Sequence, residues 1–187
     1  HTKVLWLVLA ALWVPASPSL AAAPQPVLVD TAAVADALAR KALVWDVRPA
    51  EAYAKGHIPG AVNIGDAPAV LREPNTEDFV ATVNIEKMLG SAGLDPSRDI
   101  VVYGSRGGWQ AYFGLYTLQY FGGRNVRVYH DGIEGWTGAG RAVELGVSPQ
   151  TPVALRLQAD ASNQVSVSTR DVIARLNRAD VQILDVR

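Results

Sequence analysis

Val101-Val102-Tyr103-Gly104-Ser105-Arg106-Gly107-Gly108-Trp109 is an apolar strand pattern that runs through a glycine-rich loop into a helix pattern. Apolar residues at successive positions are what a strand covered on both faces requires, and they point to a parallel sheet. The run begins at Asp99, so 99–103 reads as the central strand and 108–121 as the helix after it. That helix carries Trp109, Tyr112, Phe113, Leu115, Tyr116, Leu118, Tyr120 and Phe121 nearly all round. A helix buried against the sheet explains them better than a ligand wall, each large side chain contributing about 1.5–3 kcal/mol. Downstream, 125–129 is the next strand and 133–136 a short helix.

Upstream the alternation continues. Residues 27–29 form a short strand, and Asp30 or Thr31 caps an Ala-rich helix that runs to about Lys41. Residues 43–47 (LVWDV) read as a buried strand and 60–64 as a further short one. Residues 76–89 read as a helix, with Phe79, Val80, Val83, Met88 and Leu89 mostly on one side and Gly90 as its stop. Strands alternating with helices predict an α/β fold: a central, mostly parallel sheet flanked by helices on both faces.

The chain has 187 residues, a formal net charge of −1, 49% hydrophobic residues and no cysteine. That length supports a real core without staples. The charge balance supplies no electrostatic footprint for a nucleic-acid partner. Zero Cys excludes disulfides, thiolate metal sites and a cysteine nucleophile within these residues.

Two further segments stand outside the α/β pattern. Residues 1–23 combine Lys3, the eleven-residue apolar run 4–14, two prolines and the small residues Ala21-Ala22-Ala23, the layout of a secretory signal peptide. Eleven helical residues at about 1.5 Å each reach roughly half of a ~30 Å hydrocarbon core, so a membrane anchor is disfavoured. The mature protein is expected to be exported, periplasmic or secreted, with no stable membrane anchor after cleavage. Residues 146–164 hold two prolines and little helical period, and read as a linker. After them, Val165-Ser166-Val167-Ser168-Thr169 and, past a helical pattern, Val181-Gln182-Ile183-Leu184-Asp185-Val186-Arg187 repeat the opening of the chain. There Val27-Leu28-Val29-Asp30-Thr31 leads to Leu43-Val44-Trp45-Asp46-Val47-Arg48, an offset of 138 at the threonines and 139 at the aspartates. A period of that size means tandem domains. Residues 24–145 are then one domain and 165–187 the start of a second, within an expected protein of about 290 residues.

Loop 104–108 sits where a strand's carboxyl end points backbone amides and a helix N-terminus at one spot. It lacks the ending of a Walker loop and the spacing of a hydrolase elbow. Loop chemistry alone leaves an anion site and a plain tight turn both open. The second constellation is Asp46-Val47-Arg48 with Gly56-His57-Ile58-Pro59-Gly60-Ala61. Asp46, Arg48 and His57 have acid–base chemistry, but two residues apart at a strand's end the pair suits tying down loops, and Gly56 and Gly60 supply turns. His57 and His130 are too isolated to suggest a metal.

These motifs, with Asp131-Gly132-Ile133-Glu134-Gly135-Trp136 after the loop, resemble the rhodanese domain over residues 27–145. The duplication resembles the tandem arrangement of thiosulfate and 3-mercaptopyruvate sulfurtransferases. The resemblance implies that sulfane sulfur passes from thiosulfate or 3-mercaptopyruvate to a thiophilic acceptor such as cyanide, through a cysteine persulfide in the second domain. It implies a small sulfur-containing anion as substrate and no metal or organic cofactor. The family's cysteine position, directly after the central strand, is Gly104 here, so Gly104, Ser105, Arg106, Gly107 and Gly108 form a degenerate active-site loop. Ser105 lies one position late, and an unactivated hydroxyl is a poor substitute for a thiolate. Asp131-Gly132 replaces the family's commoner Gly-Gly. By the repeat offset the working cysteine falls near residue 243, about 139 beyond Gly104. Asp46, Arg48, Gly56, His57, Gly60 and Trp136 are expected to be structural, and the 187-residue chain is expected to be inactive. The competing reading is a non-enzymatic rhodanese-like binding or regulatory module.

Overall fold

The computed structural model describes residues 27–76, 78–159 and 166–185; the expected signal peptide lies outside them. Five strands, β1 (Leu28–Val29), β2 (Leu43–Asp46), β3 (Val62–Asn63), β4 (Ile100–Tyr103) and β5 (Val126–Tyr129), form one sheet in the order β1-β5-β4-β2-β3. Every pairing is parallel. The helices are α1 (Thr31–Ala39), α2 (Ala50–Lys55), α3 (Ala67–Leu71), α4 (Thr82–Ser91), α5 (Trp109–Tyr120), α6 (Gly132–Gly138) and α7 (Thr169–Arg175).

Alternation along the strands assigns the two faces. Trp45, Val47, Ile100, Val102, Val126 and Val128 point to one side, where Leu71 of α3, Ile85 and Leu89 of α4 and Phe113 and Leu118 of α5 cover them. Val44, Val101, Tyr103 and Tyr129 point to the other, against Val34 and Ala37 of α1, Tyr53 of α2 and Trp136 of α6. The sheet is thus covered on both faces, as its apolar strands require. Gly114 lets α5 approach closely, since a Cβ there would stand 2.7 Å from Val102 Cγ1.

Several boundaries differ from the sequence reading. The helix expected over 76–89 is α4, displaced to Thr82–Ser91. The chain before it folds back on α3 instead, with an Arg72–Phe79 bridge and a Val80 amide bonded to the Leu71 carbonyl. Gly90, expected to stop the helix, lies inside it; a Cβ there would meet the Val153 carbonyl oxygen at 2.6 Å. Helices α2 and α3 were not anticipated. The strand expected over 60–64 shortens to β3, and α1 ends before Lys41, which takes a left-handed φ of 62°.

The proline-containing stretch 146–164 has no helix or strand among its described residues, yet its first part is docked. Ser148 and Leu155 are buried, the Val153 amide donates to Gly90, and the Leu157 amide donates to the Glu86 carboxylate. Among the described residues of the repeated segment only α7 forms. Residues 181–185 are not a strand, because no neighbouring strand faces them. Among the described residues no helix is long and apolar enough to cross a membrane.

Candidate functional site

In this strand order the connection from β2 leads to one edge of the sheet and the connection from β4 leads toward the other. Ligand crevices in open α/β sheets form at such a switch point, outside the strands' carboxyl ends. Here Asp46 ends β2 and Val47 and Arg48 follow it, and Gly104 to Gly108 follow β4. The two sequence constellations meet: a Cβ on Gly104 would lie 3.3 Å from Val47 Cγ2 and 4.0 Å from Arg48 Cγ.

The β2 side is held by buried polar side chains. Asp46 is fully buried and accepts both Nε (3.0 Å) and Nη2 (2.6 Å) of Arg48. Burial works against the Arg48 charge, but Asp46 outweighs it and the guanidinium pKa rises. Nη2 also donates to the Gly56 carbonyl at 2.8 Å. The Ile58 amide donates to Tyr103 Oη at 3.0 Å, and Tyr53 Oη donates to the Ala61 carbonyl at 2.7 Å. Burial, then the nearby Asp46 charge, pushes the Tyr103 phenol pKa up, so it stays neutral. The segment from Gly56 to Ala61 is therefore pinned from β2, β4 and α2 at once.

His57 is buried in the middle of that segment and stacks on Tyr53 at 3.9 Å. Its Nδ1 lies 3.0 Å from the Tyr53 carbonyl and its Nε2 2.9 Å from Ser148 Oγ. Ser148 donates to Glu144 Oε2, which also accepts the Gly60 amide, each at 2.9 Å. The Gly60 amide, followed by the Ser148 hydroxyl, draws the Glu144 carboxyl below its usual range. Residues 144–148 thus close over His57. Trp136 is buried and donates Nε1–H to the Ala142 carbonyl at 2.7 Å. His130, unlike His57, is exposed, with Nδ1 2.7 Å from Tyr112 Oη. Among the described residues no group of three or more His, Cys, Asp or Glu is placed to hold a metal ion.

The β4 side is held mostly by backbone, with one carboxylate, Glu134 Oε2, accepting the Arg106 amide at 2.7 Å. Gly107 has φ 68°, and its amide donates to the His130 carbonyl at 2.9 Å; the Gly108 amide donates to Ser105 at 3.0 Å. The Ile133 amide donates to the Gly104 carbonyl at 3.1 Å. Gly132, at φ 59°, lies so close that a Cβ there would stand 2.5 Å from the Gly104 oxygen. No side chain exists at residue 104 to attack a substrate; Gly104 is buried, and Ser105, Arg106 and Gly107 after it are exposed. A groove of about 590 Å³ lies between α4 and the β3 edge, lined in part by Asn63, Lys87, Met88 and Gln150.

The sequence reading missed Tyr53, Tyr103, Glu144, Ser148 and Glu134. Tyr103 and Ser148 make bonds 45 and 91 residues away in the chain, beyond any local pattern. Glu134 lay within a quoted motif, but nothing local tells which amide its carboxylate serves.

Known proteins resemble this chain in sequence and in fold. The chain is 33% identical over 102 residues to a thiosulfate sulfurtransferase of Corynebacterium glutamicum, covering 54% of this chain and 33% of that one. It is 29% identical over 172 residues to a thiosulfate sulfurtransferase of Azotobacter vinelandii, covering 87% and 60%. The chain thus spans between a third and three-fifths of the length of these relatives. SseA of Escherichia coli, a 3-mercaptopyruvate sulfotransferase, superposes with a TM-score of 0.71 at 21% identity over 87% of this chain and 66% of that one, a likeness of fold. The rhodanese-like domain model matches residues 30–139, which hold all five-strand positions but β1 and both halves of the rim. With that match over more than half of its length, this chain belongs to the rhodanese family.

Proposed function

We propose that this chain is the non-catalytic N-terminal part of a sulfurtransferase. The whole protein moves sulfane sulfur from thiosulfate or 3-mercaptopyruvate to a thiophilic acceptor, through a cysteine persulfide carried by a second rhodanese-like domain. The observation that carries this reading is Gly104: the loop after β4 keeps the family's position at the switch point and has no side chain there. The recurrence of the 27–48 pattern at 165–187 and the longer chains of the sulfurtransferase relatives support a second domain. A persulfide is an anion, and backbone amides with a helix N-terminus would stabilise it in that domain. The first domain serves as a scaffold, and residues 1–23 direct export to the periplasm or beyond.

The test is cyanide-dependent thiocyanate formation from thiosulfate. The 187-residue chain should show none, and the protein extended through its second domain should turn over. Activity of the extended protein should vanish when the cysteine near residue 243, about 139 positions after Gly104, is replaced by Ser. Turnover by the 187-residue chain, or a second domain without a loop cysteine, overturns the proposal.

A further inference from the structure

His57 lies in an array that is one proton short. Three contacts run through it in series: Nδ1 to the Tyr53 carbonyl at 3.0 Å, Nε2 to Ser148 Oγ at 2.9 Å, and Ser148 Oγ to Glu144 Oε2 at 2.9 Å. Each contact needs its own proton, and a neutral imidazole and a hydroxyl supply two. With the imidazole proton on Nδ1, the Ser148 hydroxyl cannot serve both Nε2 and Glu144. With it on Nε2, the Nδ1 lone pair faces the Tyr53 carbonyl oxygen. All three contacts close only when the array holds one proton more. Glu144 does not keep it, because the Gly60 amide and the Ser148 hydroxyl draw that carboxyl below its usual range. The imidazole can, with the Glu144 carboxylate 3.6 Å from Nε2 to balance its charge.

The other titratable groups around His57 are already committed. Tyr53, stacked on the ring, donates its hydroxyl to the Ala61 carbonyl and accepts the Ser148 amide. Arg48, on the adjacent Gly56 carbonyl, is paired with Asp46. Tyr103 is neutral and accepts the Ile58 amide. The array also sits where the docked stretch begins. Glu144 and His57 exchange amide–carbonyl bonds at 2.9 and 3.0 Å, and the Gly146 amide donates to the Ala54 carbonyl at 2.9 Å.

We propose that His57, Ser148 and Glu144 form a proton-operated latch on the segment by which the chain leaves the sheet. The latch is closed while it holds the extra proton and loosens as rising pH removes it. Once 144–148 lifts away, water satisfies all three side chains and the proton is no longer needed. A proton bound in the closed state and released on opening makes the opening constant rise with pH.

Native-state hydrogen exchange on the 187-residue chain reads that constant at the Glu144 and Gly146 amides. After correction for the intrinsic pH dependence of exchange, it should grow by up to about tenfold per pH unit above about 6.5, the ordinary imidazole value. Glu144→Gln keeps an oxygen for the Gly60 amide and removes the charge, and should flatten that dependence. An opening constant that ignores pH in the native chain, or the same slope in Glu144→Gln, overturns the proposal. A second measurement needs no variant. Long-range ¹⁵N–¹H spectra at about pH 6 should show protons on both ring nitrogens of His57. One bare ring nitrogen in the closed chain overturns the proposal as well. Neither readout involves sulfur transfer, so the latch and the sulfurtransferase assignment stand or fail separately.

Discussion

Residues 27–48 and 165–187 carry one pattern, an apolar strand, a capped threonine, a helix and Asp-Val-Arg, and they meet different fates. In the first, α1 buries Val34 and Ala37 completely and β2 pairs with β3 and β4. In the second, α7 forms but buries no residue, and Ile183 and Leu184 stand 53% and 71% exposed. The shared part is what hydrogen bonds close in sequence can make. Helix α7 has a full capping box, with Ser168 Oγ accepting the Asp171 amide and the Asp171 carboxylate accepting the Ser168 amide. The part that differs is what needs a partner: a strand leaves its amides and carbonyls pointing sideways, to be paired by another strand.

Three changes probe this contrast at matched positions. The largest effect is expected at the aspartates. Asp46→Ala strands the Arg48 guanidinium, whose side chain is 11% exposed, and should cost about 3–5 kcal/mol in urea unfolding. Asp185→Ala, at the exposed equivalent, should change stability by less than about 0.5 kcal/mol. A large loss from the second variant would mean that the repeated segment is structurally integrated after all. Next come the valines three residues after each threonine. Val34→Ala removes fully buried methyl groups and should cost about 2 kcal/mol, whereas Val172→Ala should leave the unfolding midpoint where it is.

The smallest effect is local. Ser168→Ala should erase helical amide shifts across 169–175 without altering global unfolding. Acid should act the same way. The Ser168 hydroxyl and amide hold the Asp171 carboxyl below its usual range. A depressed folded pKa gives a contribution present above the unfolded value and lost as pH falls through the folded one. Helix α7 should therefore melt below about pH 4, near the ordinary Asp value, ahead of the sheet. Helical shifts that persist at lower pH would remove the capping box as the cause.

Much of the fold was legible for the reason this contrast shows. β2, β4 and β5 are apolar runs, and α5 a long apolar helix, so burial on both faces is written into composition alone. The 76–89 region misled because Phe79, Val80 and Val83 have helical spacing, while the backbone at Phe79 and Val80 pairs with Arg72 and Leu71 instead. Asp46 and Arg48 were visible as a pair two residues apart. What they serve was not: Tyr103 and Gly56, with Glu144 and Ser148 closing over His57, come from three separate stretches of the chain.

By itself the amino-acid sequence determined that loop 104–108 carries no thiol, since a glycine stands at the strand's end and no cysteine exists anywhere in the chain. It determined the Asp30 cap of α1 and which strands are buried, because those depend on neighbours a few residues away. Tertiary structure decided which of two similarly patterned stretches becomes sheet and where the Glu134 carboxylate is delivered. Both outcomes depend on groups distant in sequence, and only the folded chain brings them within hydrogen-bonding reach.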